Sequence, residues 1–251
     1  MAMNSRKKMN ILSTILHCKQ ASHPLLAVLI DPDKRDRYSA LLPYIGEADI
    51  VLVGGSTGTQ IEDCIMELRR HTSAPLVLFP GNTAQFTSKA DALLFLTLLN
   101  SRRAEVLIEP HIQAATTIRY SGIETIPMGY ILVDGERQSA VERVSGCRPI
   151  AREAISDIVS HAVAGQLLGK QLIYLEAGSG AKTPVSTEII RTVREAIDIP
   201  LIVGGGITSE QEMLAAFSAG ANIVVIGNHF EQHPEALPRF LQAKLSYIHD
   251  K

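Results

Sequence analysis

The stretch that decides the fold runs from Leu172 to Asn228 and reads LIYLEAGSGAKTPVSTEIIRTVREAIDIPLIVGGGITSEQEMLAAFSAGANIVVIGN. It holds three short apolar runs, at Leu172–Glu176, Leu201–Val203 and Ile223–Ile226, and each run leads into glycine. Segments with helical periodicity separate the runs. Nearly continuous apolar runs of this length are typical of parallel strands that are covered on both faces. The stretch therefore predicts successive β–α units.

The same alternation extends over the rest of the chain without a linker. Five further strands are predicted at Leu25–Ile30, Ile50–Val53, Leu76–Phe79, Ala92–Leu96 and Gly129–Val133. Helices are predicted at Tyr38–Ala48, Gln60–His71, Arg103–Tyr120, Ala151–Leu168, Thr187–Ala196, Ser209–Ala219 and Pro234–Tyr247.

Eight such units in 251 residues predict an α/β fold, a single (β/α)8 TIM barrel over residues 1–251. Residues 1–20 are predicted to form an N-terminal helical extension. Ser209 and Glu212 fit a capping box at the start of one covering helix. A doubly wound open sheet is the alternative architecture.

One β–α unit is shorter than the others. Only Pro80–Asp91 separates the third predicted strand from the fourth, and it begins with Pro80-Gly81-Asn82. This segment is too short for a strand exit, a covering helix and a return. We therefore predict that the third outer helix is missing or vestigial, which would open an apolar groove on the side of the barrel. The alternative is a helix that is merely shortened.

Composition and charge narrow the class of protein. Hydrophobic residues make up 46% of the chain and charged residues 20%, which is enough for a large core. The net charge is −2, aromatic residues are only 5%, and tryptophan is absent. Binding to a nucleic-acid backbone needs basic surface, and base stacking needs aromatic platforms. We therefore expect no nucleic-acid partner.

Cysteine spacing and the length of the apolar runs indicate the cellular compartment in which the protein is expected. Cys18, Cys64 and Cys147 are far apart, odd in number and form no C-x-x-C pair, which predicts reduced thiols. The longest apolar stretches, such as Leu93–Leu99, fall far short of the ~20 residues of a membrane span. We therefore expect a soluble, cytoplasmic protein with no transmembrane segment.

Glycines follow three neighbouring predicted strands. They occur in Ala177-Gly178-Ser179-Gly180, in Gly204-Gly205-Gly206 and in Gly227-Asn228. Backbone N–H groups in such turns form anion sites, and phosphate sites in barrels commonly follow strands seven and eight. The pattern predicts a phosphate site built mostly of neutral backbone donors, with Lys182 as the nearest cation in sequence. Alternatively, the glycines only permit tight turns.

Oxygen-bearing side chains follow the first two predicted strands. Asp31 comes directly after strand one, and Ser56 follows Gly54-Gly55 after strand two. Carboxylate and hydroxyl oxygens suit Mg²⁺, which often needs only one or two protein ligands in addition to a substrate phosphate. The pair is therefore a candidate magnesium site. The alternatives are a turn or a helix cap for Asp31 and a local hydrogen bond for Ser56.

Glu176 is an acidic residue among apolar ones at the end of strand six. A poorly solvated carboxylate is a candidate general base, and an internally satisfied structural acid is the alternative. Tyr174 projects on the same strand face and either donates a hydrogen bond to a substrate or packs. Arg102 and Arg103, after strand four, either reach a second anionic group or lie on the surface.

Seven motifs, spread from the first strand to the last, occur together. They are LIDPDK (Leu29–Lys34), VGGSTG (Val53–Gly58), LFPGN (Leu78–Asn82), LFLTLLNSR (Leu94–Arg102), YLEAGSGA (Tyr174–Ala181), VGGGI (Val203–Ile207) and IGN (Ile226–Asn228). In this combination the chain resembles the geranylgeranylglyceryl phosphate synthases and their bacterial relatives that make heptaprenylglyceryl phosphate. The resemblance covers nearly the whole domain.

The resemblance implies a TIM barrel without a regular third helix, and it implies that Asp31 and Ser56 hold Mg²⁺. Some archaeal members have a lysine where this chain has Leu29, which places the chain in the second group of the family. Lys34 is a candidate to replace that lysine. The resemblance also implies that sn-glycerol 1-phosphate is bound by Tyr174, Leu175, Glu176, Ala177, Gly178, Ser179, Gly180, Gly205, Gly206, Gly227 and Asn228.

The implied reaction forms an ether bond between sn-glycerol 1-phosphate and a polyprenyl diphosphate, with Glu176 and Tyr174 as catalytic residues. We expect a C20 rather than a C35 prenyl chain. Homo-oligomers, either dimers or hexamers, are usual in the family, and a lipid product implies transient contact with a membrane. Two alternatives stay open: an isomerase or synthase of a phosphorylated sugar or amino-acid precursor, and a non-catalytic module that binds prenyl phosphates.

Overall fold

The computed structural model describes residues 10–55 and 60–249. Eight parallel strands close into a barrel in which each strand pairs with its neighbours in chain order and the last pairs with the first. This confirms the predicted (β/α)8 barrel and rules out the open sheet. The strands are β1 (Leu25–Ile30), β2 (Ile50–Val53), β3 (Leu76–Leu78), β4 (Ala92–Leu98), β5 (Glu124–Leu132), β6 (Leu172–Glu176), β7 (Leu201–Gly204) and β8 (Ile223–Ile226).

Helices surround the barrel, and the predicted capping box of Ser209 and Glu212 is present at the start of one of them. Short 3₁₀ turns occur at Ile45–Glu47 and Pro234–Ala236. The α-helices are α1 (Ile11–Gln20), α2 (Arg35–Leu41), α3 (Ile61–Leu68), α4 (Ala104–Leu107), α5 (Glu109–Ser121), α6 (Ala140–Ser145), α7 (Ile155–Leu167), α8 (Thr187–Ala196), α9 (Glu210–Ser218), α10 (Asn228–Gln232) and α11 (Leu237–His249). Helix α1 belongs to the predicted extension 1–20, of which residues 1–9 lie outside the described residues.

The connection between β3 and β4 contains no helix. Residues 79–91 are all described, and they run as turns and irregular chain. The prediction of a missing third outer helix is therefore confirmed, and the alternative of a shortened helix is wrong. The outer face of β4 consequently lacks the cover that a regular barrel would place beside it.

Several predicted elements have different bounds in the structure; the helix predicted at Tyr38–Ala48, for example, is α2 followed by the 3₁₀ turn Ile45–Glu47. Strand β5 begins at Glu124 rather than Gly129, because it pairs with β4 along that strand's whole length. Its first residues include Glu124 and Pro127, which hide the strand pattern. The helix predicted at Arg103–Tyr120 is divided into α4 and α5 at Ile108, because Pro110 lies in the first turn of α5. Helices α6 and α10 were missed because each is too short to show a helical period.

Helix α1 closes the barrel at the amino-terminal ends of the strands. Its buried side chains Ile11 and Ile15 belong to the apolar cluster that fills the barrel interior. The Glu124 carboxylate accepts hydrogen bonds from the N–H groups of Ile11 at 2.7 Å and Leu12 at 2.8 Å. These are donors that the first turn of a helix leaves unpaired. With this end closed, the carboxyl ends of the strands form the accessible mouth.

Candidate active site

A cavity of about 1160 Å³ lies at the carboxyl ends of the strands. Its rim contains Asp31 after β1, Gly55 after β2, Glu176 at the end of β6, Gly205 after β7 and Gly227 after β8. Parallel strands of a barrel all direct their carboxyl ends to one mouth, so residues far apart in sequence meet here. From this polar rim the cavity continues into an apolar part beside β4 and α5.

Glu176 is buried at the rim of the cavity, with only 6% of its surface exposed. Its Oε1 accepts a hydrogen bond from the Gly178 N–H group at 2.7 Å. Burial raises the pKa of Glu176, and the nearby Tyr174 hydroxyl and the Gly178 N–H group offset this only in part. A carboxylate with a raised pKa is a stronger base than an exposed one. Position and acidity therefore both suit removal of a proton from a bound hydroxyl group.

Gly205 makes room for the buried Glu176 carboxylate. The φ angle of Gly205 is +84°. A Cβ atom there would collide with the Glu176 carboxylate and would lie 2.7 Å from the Gly178 nitrogen. Only glycine fits this position without strain. Within the described residues, the N–H groups of Gly205, Gly206 and Gly227 donate to no other group, which leaves them available to an anion.

Of the other residues that the resemblance assigned to phosphate binding, some line the cavity and others do not. Ser179, Gly180 and Asn228 line the cavity, and the Ser179 hydroxyl donates to Asn228 Oδ1 at 3.1 Å. Leu175 and Ala177 instead pack their side chains into the apolar layer between the barrel and the helices. Neither residue lines the cavity.

Tyr174 lies inside the barrel and is fully buried. Its ring centroid lies 5.6 Å from that of Phe79 and 5.2 Å from that of Tyr130. Burial, with the neighbouring Glu176, raises the pKa of the Tyr174 hydroxyl well above its usual value. The hydroxyl lacks a hydrogen-bond partner among the described residues, although it borders the cavity. Tyr174 therefore packs, and it also holds a donor that a ligand or a water molecule can use.

Asp31 lines the rim on the side of β1, and its Oδ2 lies 3.4 Å from Lys34 Nζ. Lys34 Nζ also lies 3.1 Å from the buried Glu231 carboxylate of α10. The structure thus places a lysine beside Asp31 even though Leu29 stands where some family members have their lysine. Ser56, the second predicted magnesium ligand, lies outside the described residues.

Apart from Lys34, the cations near the site are not those that the sequence suggested. Arg102 and Arg103 donate to backbone carbonyl groups, and like Lys182 they do not line the cavity. Arg137 does line it, and its guanidinium donates to the Gly180 carbonyl at 3.4 Å. Sequence reasoning missed Arg137 because it lies in an irregular loop. The one signal that could have found it is a basic residue shortly after the end of a strand.

The apolar part of the cavity lies where the third helix is missing. Leu93 and Phe95 of β4 belong to the outer apolar layer and line this part together with Ala114 and Ile118 of α5. Phe86, from the connection between β3 and β4, lines the same space. The predicted groove is therefore present and is continuous with the polar rim.

The residues present fit a magnesium ion better than a metal that needs many protein ligands. Among the described residues, no three His, Cys, Asp or Glu side chains are grouped so that they could hold a metal ion. His229 and His233 border the cavity with ring centroids 5.3 Å apart, but they lack a third ligand of this kind there. One partly exposed carboxylate, Asp31, suits Mg²⁺, whose remaining positions water and substrate phosphate can fill.

Comparison with known proteins agrees with the motifs. The sequence model described as the PcrB family matches residues 20–244. The chain belongs to the PcrB family. Together with the relatives described next, which are named geranylgeranylglyceryl phosphate synthases, this match confirms the predicted family and makes the protein a prenyltransferase. The transferase hypothesis is therefore favoured over both the isomerase and the non-catalytic module.

Relatives from bacteria and archaea resemble this PcrB protein over nearly their whole length. The geranylgeranylglyceryl phosphate synthase of Zunongwangia profunda is 47% identical over 226 residues, which is 88% of this chain and 97% of the relative. The synthase of Korarchaeum cryptofilum is 39% identical over 232 residues, with 90% and 95% covered. The solved structure of the Thermoplasma acidophilum synthase in complex with sn-glycerol-1-phosphate has a TM-score of 0.85 and 31% identity, with 94% of this chain and 98% of that chain covered.

Length and composition of the helices also bear on membrane insertion. Of the helices that the structure describes, none is both long enough and apolar enough to span a bilayer.

The raised pKa of Glu176 predicts the pH dependence of activity. A general base acts only when it is ionised, so with Glu176 as the candidate base kcat is expected to fall as the pH drops through a pKa above the ordinary value of about 4.3 for glutamate. Glu176→Gln is expected to lower kcat by about 10²–10⁴-fold and to remove this acidic limb. The measurement is a pH–rate profile with both substrates saturating.

Glu105→Gln is the matched control. Glu105 also borders the cavity, but its side chain is 70% exposed and pairs with Arg103. Its variant is expected to keep the profile of the parent protein. A loss of less than about tenfold in Glu176→Gln would contradict the general-base role.

Proposed function

We propose that the protein joins the primary hydroxyl group of sn-glycerol 1-phosphate to C1 of a polyprenyl diphosphate through an ether bond. The observation that carries this proposal is the single continuous cavity. At one end it has glycine loops and a buried carboxylate, and at the other it has an apolar groove. A small phosphorylated alcohol and a long hydrocarbon chain need these two environments side by side.

Three features support glycerol phosphate at the loops after β6, β7 and β8. The N–H groups of Gly205, Gly206 and Gly227 are available, and Arg137 adds a positive charge near Gly180. Backbone amides in glycine turns bind phosphate oxygens. The Thermoplasma acidophilum relative was solved with sn-glycerol-1-phosphate. A phosphate held here would bring the hydroxyl group of the same molecule toward Glu176.

We place the diphosphate on the opposite side of the mouth, at Asp31. Mg²⁺ held by Asp31 and Ser56 would neutralise the diphosphate and make it a better leaving group. Lys34 supplies a further positive charge there, held between Asp31 and Glu231. An ammonium group at this point can pair with a diphosphate oxygen. Lys34 thereby takes the part of the lysine that is absent at Leu29.

The chain's own residues then act on the hydroxyl group. The bond between C1 and the diphosphate oxygen breaks, and its electron pair leaves with the diphosphate. The glycerol oxygen bonds to C1, and its proton passes to the buried Glu176 carboxylate. The Tyr174 hydroxyl, which has no hydrogen-bond partner in the described residues, is available to orient that oxygen.

We propose that the prenyl tail lies along the groove beside β4. Phe95, Ala114 and Ile118 would contact it there. Each CH₂ group that leaves water contributes roughly 0.8 kcal/mol to binding. A C20 chain is the proposed donor, since the similar synthases of Zunongwangia profunda and Korarchaeum cryptofilum are named for a geranylgeranyl chain. Because the product is a lipid, we also propose that the protein contacts a membrane surface transiently.

The direct test is synthesis from purified substrates. The protein is incubated with sn-glycerol 1-phosphate, Mg²⁺ and prenyl diphosphates from C15 to C35, and the product is extracted into organic solvent. The C20 donor is expected to give the highest kcat/KM. Asp31→Asn is expected to lose most Mg²⁺-dependent turnover, by about 10²-fold or more, with an unchanged circular dichroism spectrum.

Asp33→Asn is the control, because Asp33 is exposed, carries the same charge and does not line the cavity. It is expected to retain activity within about threefold. Full activity of Asp31→Asn would exclude Asp31 as the magnesium ligand. A lack of extractable product with every donor would overturn the proposed reaction.

The phosphate site is tested by adding one negative charge without changing shape. In Asn228→Asp, an aspartate oxygen can still accept the Ser179 hydrogen bond, but its charge repels a phosphate. The KM for sn-glycerol 1-phosphate is expected to rise by about tenfold or more, with little change in the KM for the prenyl diphosphate. Asn222→Asp makes the same change at the other end of β8 and should alter neither constant. If Asn228→Asp changes the KM for sn-glycerol 1-phosphate no more than Asn222→Asp does, the phosphate does not bind beside Asn228.

We also propose that the protein is a homo-oligomer, a dimer or a hexamer. Ile108 directly precedes α5, and Ile112 and Tyr120 follow four and twelve residues later within the helix; all three are exposed. Such an apolar stripe is typical of a surface that is covered by another chain. Light scattering is expected to give a multiple of the 27.3 kDa chain mass, and Ile112→Lys to lower it. A mass equal to one chain for the parent protein would contradict the proposal.

A further inference from the structure

Gln85 is a polar residue in the helix-free connection between β3 and β4, yet it is fully buried, with 0% of its surface exposed. Its carboxamide bonds to backbone groups of two different loops. Nε2 donates to the Gly55 carbonyl at 2.8 Å, and Oε1 accepts from the Gly81 N–H group at 2.8 Å. A weaker contact at 3.5 Å joins the Gly55 N–H group to the same Oε1. One side chain therefore connects the loop after β2 to the loop after β3.

The described residues that flank these contacts, 54–55 after β2 and 79–91 after β3, have no regular secondary structure to pair these backbone groups. Buried N–H and C=O groups need partners, because leaving one unpaired costs more free energy than an average hydrogen bond contributes. A carboxamide offers a donor and an acceptor at one end of a side chain. Gln85 therefore supplies pairing for the Gly55 carbonyl and the Gly81 N–H group.

Gly55 lies directly against the Asp31 carboxylate. A Cβ atom at Gly55 would lie 2.6 Å from Asp31 Oδ1 and 2.9 Å from its carboxyl carbon. The backbone at Gly55 therefore forms the wall beside that carboxylate, and a shift of this loop changes the space around Asp31. The contacts run in one chain from Gln85 to Gly55 and from Gly55 to Asp31.

We propose that Gln85 is a positioning residue for the diphosphate side of the reaction. It holds the loop after β2 against Asp31 and acts on the reaction through Gly55. This proposal rests on the proposed binding of the diphosphate at Asp31. It predicts that the helix-free connection has two roles: it opens the groove for the tail, and through Gln85 it sets the place of the leaving group.

Two variants of Gln85 test the proposal. Gln85→Met keeps the length of the side chain and removes both hydrogen bonds, and Gln85→Glu removes the donor to the Gly55 carbonyl. Both are expected to raise the KM for the C20 prenyl diphosphate and the Mg²⁺ concentration for half-maximal rate by about fivefold or more. The KM for sn-glycerol 1-phosphate should stay within about twofold, and kcat with both substrates and Mg²⁺ saturating within about threefold.

Thr87→Val is the matched control. Thr87 is also buried in the same connection, but its hydroxyl donates to Glu62 of α3 at 2.7 Å rather than to the loop after β2. Its variant is expected to lower the melting temperature about as much as Gln85→Met does and to leave all three constants unchanged.

The outcomes separate this proposal from the one on which it rests. If Asp31→Asn loses its Mg²⁺ dependence while both Gln85 variants keep the constants of the parent protein, the positioning role is wrong and the site at Asp31 stands. If the KM for sn-glycerol 1-phosphate rises in parallel with that for the prenyl diphosphate, Gln85 is only a general support of the mouth, and the proposal is wrong. If Asp31→Asn keeps full Mg²⁺-dependent activity, the site at Asp31 is wrong.

Discussion

The connection between β3 and β4 is too short to hold a covering helix, and the arrangement of the whole site depends on that constraint. An outer strand face without a helix leaves apolar side chains such as Leu93 and Phe95 beside a groove instead of beneath a packed layer. The groove joins the mouth of the barrel because the same connection begins at the carboxyl end of β3. An ordinary barrel offers a polar mouth alone, whereas this one offers a polar mouth that continues into an apolar channel.

The polar rim depends on a second constraint, which is glycine at particular positions just after the strands. Glu176 is buried because Gly205 has no Cβ atom, and that burial raises the pKa of the carboxylate. The same glycine loop leaves backbone N–H groups without partners in the described residues. One local feature therefore provides both an anion site and a base of raised pKa. On the opposite side of the mouth, Gly55 similarly allows backbone to lie against Asp31.

Most of the fold and part of the site could be predicted from the sequence. Short-range sequence patterns were enough to predict the eight strands, the missing helix and the common strand face of Tyr174 and Glu176. Such patterns involve residues that are close together in the chain, so they do not depend on tertiary contacts. The start of β5 was missed because pairing with β4 outweighs the poor strand propensity of its first residues, among them Pro127. Magnesium binding stays a proposal, since Ser56 lies outside the described residues. Lys182 was named in place of Arg137 because proximity in sequence does not give proximity at the mouth.

By itself, the sequence determined the family, the barrel and the positions where strands end in glycine. These follow from periodicity, from backbone requirements and from motifs that are local along the chain. Only the tertiary structure decided which distant groups meet. Lys34 pairs with Glu231 across 197 residues of sequence, and Gln85 reaches Gly55 across 30. Such contacts depend on how irregular loops come together when the barrel closes, and loops carry no period from which their path can be inferred.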